Sequence, residues 1–255
     1  MNPRVAAVVW PSTFLVVLLA LWEAICRMFA IPTAFLPTPL QVFGAVAQHW
    51  GALADNAFQT LWTTLAGFGL AIVFGMVLGI AVGWSRAIYT GLYPILVGFN
   101  SIPKVAVVPI LILWFGIGTI PAIITAFLIS FFPIVVNVAT GLATTEPELE
   151  DVLRALGASK LDIMRKVGIP RAAPYFFGSL KVAITLAFVG AVVSETVGAN
   201  KGVGYLMLNA QAAFQVPLVF AGLLALAVLG IVLYGLTALI ERRFTRWAYR
   251  GSFAA

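Results

Sequence analysis

Residues 58–83 carry no charged side chain. A helix of about 20 apolar residues crosses the hydrocarbon core of a bilayer, so a run of this length predicts a membrane span before anything else. Five further runs, almost as apolar, read the same way: 5–24, 93–115, 120–140, 176–197 and 217–240. Charged residues make up 9% of the chain, against about 25% in soluble domains, and the mean hydropathy is +1.06. The fold class is therefore all-α: a polytopic membrane protein of about six transmembrane helices, with 1–255 as a single transmembrane domain. Within 58–83, Gly67, Ala71, Gly75, Gly79 and Gly83 recur at every fourth residue. Such a small-residue ridge lets another helix approach closely, or lines a pore.

The remaining runs carry their own signals. The first has Arg4 ahead of it and no small-residue cleavage pattern close behind, which predicts a retained helix. Glu23 and Arg27, four apart, share a face and can pair. Thr38 and Pro39 suit the N-cap and first position of a short surface helix, with Leu40, Phe43, Val46, Ala47 and Trp50 along one side. The run 93–115 is interrupted by Pro94, Pro103 and Pro109, with Asn100, Ser101 and Lys104 between them. Interior prolines free carbonyls that must face protein or water, so this broken span is a candidate for the translocation path. Lys104 and Glu195 are ionisable groups in apolar runs, where a lone charge costs about 3 kcal/mol. They are solvated near an interface, line a polar route, or pair with each other. Residues 116–119 read as a tight turn, and 198–215 as a polar loop or re-entrant piece.

The charged stretch 146–171 interrupts this apolar pattern. It reads as two short helices joined by a turn at Gly157. Glu146, Glu148, Glu150 and Asp151 suit the positive end of the first helix, with Leu149, Val152, Leu153 and Leu156 at helical spacing. Ser159 can cap the second, in which Leu161, Ile163, Met164 and Val167 are the apolar side, and Pro170 is expected to stop it. Six spans place both termini on one side. Arg4, Arg86, Arg154, Lys160, Arg165, Lys166, Arg171, Lys181, Arg242, Arg243, Arg246 and Arg250 fall on the side of this hairpin, whereas Arg27, Lys104 and Lys201 do not. The positive-inside rule makes that side cytoplasmic, and it explains the net charge of +6 without invoking nucleic acid. No lysine is followed by Ser or Thr, so no phosphate-binding Walker loop is present. His49 and Cys26 are each the sole residue of their type, which leaves no catalytic set, disulfide or metal cluster within one chain. An ion-gradient-driven secondary transporter or channel is the competing reading, although the two halves share no visible repeat.

The hairpin resembles the EAA loop of ABC importer permeases. That pattern is Glu-Ala-Ala, three residues, Gly, then a hydrophobic residue and Pro. Here it stands as Asp151-Val152-Leu153, Arg154-Ala155-Leu156, Gly157, and Ile169-Pro170. Asp replaces Glu, and neither alanine is present. Ile102 to Pro109, Trp114 to Gly118 and Gly202 to Leu206 are similar to the sulfonate, taurine and nitrate branch, whose relatives also carry pyrimidine precursors of thiamine and aromatic acids. The resemblance implies that Glu150, Asp151, Arg154, Ala155, Leu156, Gly157 and Ala158 couple the permease to an ATPase. It implies two ATPase subunits holding ATP and Mg, with no cofactor on this chain. It also implies a second permease copy as a homodimer partner, an extracytoplasmic solute-binding protein, and a place among the lipids of a bacterial cytoplasmic (inner) membrane. Asn100, Ser101, Lys104 and Glu195 are the candidate path residues.

Overall fold

The computed structural model of the protein describes residues 3–143 and 147–246. Among these residues there are helices and turns and no strand. In chain order the helices are α1 (Pro3–Met28), α2 (Pro39–Gln48), α3 (Trp50–Trp84), α4 (Arg86–Ser101) and, after a 3-10 turn at Lys104–Val107, α5 (Val108–Phe115). Then come α6 (Thr119–Ala143), α7 (Pro147–Ala155), α8 (Lys160–Ile163), a π-helical turn at Met164–Gly168, α9 (Ile169–Gly198), α10 (Val203–Ala212) and α11 (Val216–Thr245). Five helical stretches are long and apolar enough to cross a membrane. A sixth is reached if α4 and the segment from Lys104 to Phe115, bent by 77°, count as one broken span.

The core is the layer formed by α3, α6 and α9. The glycine ridge of α3 lies against α6. A methyl group at Gly67 would stand 2.5 Å from Ala126 Cβ, at Gly75 2.8 Å from Ile134 Cβ, and at Gly79 2.6 Å from Val138 Cβ. Lipid is as apolar as leucine, so helices associate there through close van der Waals contact, and missing Cβ atoms supply it. The ridge packs helices and lines no pore. On its other face α6 meets α9 in the same manner: Gly190 faces the Ala126 backbone and Gly141 the Ala172 backbone, where a methyl would come within 3.0 and 2.8 Å.

Four features depart from expectation. First, α3 begins at Trp50, ahead of the apolar run, and so carries Asp55 and Asn56 as helical residues. Second, α2 is capped as its sequence predicts, with Gln41 N–H donating to Thr38 Oγ1 and Thr38 N–H to Gln41 Oε1. However, it turns Val42 and Ala45 inward, onto Leu218 and Ala221 of α11, and exposes Leu40 and Phe43. The exposed Leu40, Phe43 and Trp50 belong to the side expected to face the membrane, and the Val42 and Ala45 side that packs on α11 lies outside that stripe. Third, Pro170 does not end the second helix of the hairpin. Ile169 N–H reaches the Met164 carbonyl across the π turn, and α8 continues into α9 without a break. The wider turn accommodates a residue that has no N–H to donate. Fourth, 198–215 contains the helix α10, packed on α3, α9 and α11.

Candidate functional site at the two ends of the bundle

The hairpin ends one side of the structure. α7 closes in a Schellman motif: Gly157 adopts φ 83°, its N–H bonds the Arg154 carbonyl at 2.9 Å, and Ala158 N–H bonds the Leu153 carbonyl at 2.9 Å. A residue with φ in this range needs glycine, because a Cβ would crowd the following carbonyl. Ser159 caps α8, accepting from Asp162 N–H at 3.2 Å and donating to Asp162 Oδ2 at 2.5 Å. The Lys160 ammonium lies 5.1 Å from the Trp84 ring centre and ties the hairpin to the end of α3. Further along α9, 12 positions or ~18 Å beyond Ile169, Lys181 pairs with Glu241 of α11 at 2.6 Å. Val152 and Leu156 are 56% and 78% exposed on the hairpin surface. Asp151, Arg154, Ala155 and Gly157 are exposed beside them, and Ala158 is half-buried. Glu150 lies in α7; Glu146 lies outside the described residues.

Glu195 sits near the other end of α9, 26 positions beyond Ile169 or ~39 Å at 1.5 Å per residue. It is 1% exposed. Thr60 Oγ1 donates to its Oε2 at 2.9 Å, Gly204 N–H to the same oxygen at 3.1 Å, and Thr63 Oγ1 to Oε1 at 3.4 Å. The same Thr60 hydroxyl accepts Val203 N–H at 2.9 Å, and Asn56 Oδ1 accepts Gly202 N–H at 2.8 Å. Next to Thr60 on α3, Gln59 Nε2 donates to Thr119 Oγ1 at 3.0 Å, where α6 begins. A buried carboxylate is tolerated when donors surround it, and here all three come from side chains and backbone and none from a cation.

Lys104 does not meet Glu195. Its ammonium bonds the Phe99 carbonyl at 3.2 Å, the Asn100 carbonyl, and Asn100 Oδ1 at 3.0 Å, and it lies 5.7 Å from the Phe99 ring centre. It therefore serves as a C-terminal cap on α4, where a cation meets the negative end of the helix and the carbonyls freed by Pro103. Of the alternatives the sequence left open, pairing of the two residues is not what the structure has: they occupy two separate sites. Asn100 and Ser101 are exposed at the same break, and Ser101 Oγ bonds the Val97 carbonyl. Sequence reasoning found Glu195 but not its partners. Asn56, Thr60 and Thr63 carried one usable signal: polar residues at helical spacing on a single face, directly ahead of an apolar run.

Two such ends on an all-α core define a multi-pass membrane transport protein. The chain belongs to the family described as binding-protein-dependent transport system inner membrane component, whose model matches residues 71–246. It is 34% identical to the formylaminopyrimidine transport permease protein ThiX of Halalkalibacterium halodurans over 93% of this chain and 95% of that one. It is 35% identical to the riboflavin transport system permease protein RibX of Chloroflexus aurantiacus, over 96% and 95%. With the putative aliphatic sulfonates transport permease protein SsuC of Bacillus subtilis it shares 30% identity over 92% and 87%. The fold matches a structure of the MetNI methionine ABC transporter in inward-facing conformations, with TM-score 0.68 and 22% identity over 78% of this chain and 98% of that one. The protein is an ABC importer permease, and the secondary-transporter reading falls away.

Proposed function

We propose that this permease passes a small aromatic or anionic solute across a bacterial inner membrane, driven by two ATPase subunits that bind ATP and Mg and dock on the 146–171 hairpin. The observation that carries this reading is the hairpin surface. Val152 and Leu156 are apolar, exposed and held at the edge of a rigid, capped turn, outside the apolar span. Exposed apolar groups in the water phase are explained by a partner that covers them. The excess of Arg and Lys on the hairpin side supports a cytoplasmic hairpin and cytoplasmic termini. A second copy of the chain completes the path. The broken span supports this, because Asn100 and Ser101 are exposed on it, and polar groups at membrane depth require protein or water beside them. An extracytoplasmic binding protein delivers the solute at the Glu195 end.

An aromatic heterocycle is favoured over a sulfonate, since the relatives at 34% and 35% identity are named for formylaminopyrimidine and riboflavin, and the sulfonate relative stands at 30%. The test is reconstitution. The permease is co-expressed with its candidate ATPase, co-purified, and placed in proteoliposomes with the binding protein. ATP-dependent uptake of a formylaminopyrimidine, inhibited by excess unlabelled pyrimidine and not by an alkanesulfonate, is the expected result. Uptake without ATP, driven by an ion gradient, would overturn the proposal, and preference for the sulfonate would overturn the solute class.

A further inference from the structure

α10 is a short helix whose leading amides have no partners of their own, as at any helix start. Here three successive amides are satisfied by side chains of two other helices. Gly202 N–H goes to Asn56 and Val203 N–H to Thr60, both on α3, and Gly204 N–H goes to Glu195 on α9. The approach is close enough to need glycine. At Gly202, with φ 115°, a methyl would lie 2.2 Å from the Glu195 carboxyl carbon. At Gly204 it would lie 2.7 Å from the Val192 carbonyl oxygen. Further along α10, Met207 fills the space left by Gly222 on α11, where a methyl would come within 2.4 Å. The neighbouring broken span is attached differently. It bends by 77°, the bonds of Lys104 stay within its own segment, and Ile112 of α5 is seated at Gly198, one turn beyond Glu195.

The geometry points to Glu195 as a positioning residue for transport. With Thr60 and Asn56 it mounts α10 on α3 and α9 as one rigid body at the end away from the hairpin, whereas the α4–α5 pair is held there by buried apolar contacts through Leu96, Val108 and Leu111, which can slide. This rests on the permease reading given above. The carboxyl group acts as a fixed buried acceptor at the positive end of α10. Glutamine keeps an amide oxygen for Gly204 N–H and Thr60 Oγ1, which share one acceptor, so the variant that removes the mount is the near-isosteric Glu195→Leu.

The experiment uses spin labels in a Cys26→Ser background, with the permease reconstituted with its ATPase. One pair joins α3 to α10 (Phe58→Cys with Leu208→Cys) and the other joins α3 to α5 (Phe58→Cys with Leu113→Cys), all at exposed positions. Between the nucleotide-free and vanadate-trapped states, the α3–α10 distance should hold and the α3–α5 distance should shift. An α3–α10 shift as large as the α3–α5 shift overturns the mount. Glu195→Leu and the isosteric Thr60→Val should each broaden the α3–α10 distance distribution without nucleotide. They should also lower solute transported per ATP hydrolysed about tenfold, the scale of a buried hydrogen bond left unmade, while hydrolysis persists. A narrow distribution with normal transport in Thr60→Val overturns the proposal even if Glu195→Leu fails to fold. The distribution measurement needs no ATPase. A complex with no nucleotide response in any pair would therefore count against the ATPase reading alone.

Discussion

Gly157 and Glu195 show two ways in which one residue can fix a larger piece of chain. At Gly157 the constraint is the backbone: a left-handed conformation closes α7 and aims the next residues into the Ser159 cap. Gly157→Val should cost about 1–2 kcal/mol locally. It should leave the permease inserted and lower transport-coupled ATP hydrolysis, and hydrolysis measured in proteoliposomes with and without loaded binding protein checks this. At Glu195 the constraint is chemical, a set of donors converging on one carboxylate. Lys104 is held by a different set, the carbonyls at the end of α4. Because the two share no partner, the stability losses of Lys104→Met and Glu195→Gln should add to within about 0.5 kcal/mol in a double-mutant cycle. A coupling beyond that, read from thermal midpoints, would place them in one network. Gly157 and Ser159 were legible in the sequence because capping is a local rule. The partners of Glu195 were not, since Thr60 and Thr63 lie 135 and 132 positions away.

The elements are sorted by how closely they approach. α3, α6 and α9 meet through glycine and alanine, and their separation leaves no room for a further methylene. Gly75→Leu should lower stability by about 1–3 kcal/mol through overpacking. Gly69→Leu, on the same helix but facing open space, should be neutral, and thermal unfolding of the two variants in detergent tests the contrast. The ridge was readable because its period of four survives any choice of partner. The packed face of α2 was not readable, since Leu40 and Phe43 on one side and Val42 and Ala45 on the other are equally apolar. In water, the contrast with polar residues would have decided between them. Hydrocarbon removes that contrast. Pro170 misled for a related reason. A proline stops a helix when its missing bond has no remedy, and a π turn is a remedy that residue types alone do not announce.

At the scale of the molecule, the two ends are chemically unlike. One presents charge and exposed apolar residues on a capped hairpin, and the other hides a carboxylate beneath a short helix. The proposed orientation predicts that a Ser159→Cys variant in a Cys26→Ser background reacts with a membrane-impermeant thiol reagent in inverted vesicles and not in intact cells. Labelling in intact cells would reverse the topology. The continuity of α8 through the π turn into α9 has a mechanical consequence. From Lys160 to Gly198 the chain forms one uninterrupted shaft of ~58 Å, splinted along α6 at Gly141 and again at Gly190. A load applied at the Ser159 cap crosses the π turn and Pro174, the two points where this shaft can bend, before it reaches the Glu195 corner. It is delivered there as tilt, at roughly 1 Å of travel for each degree of rotation about the loaded end.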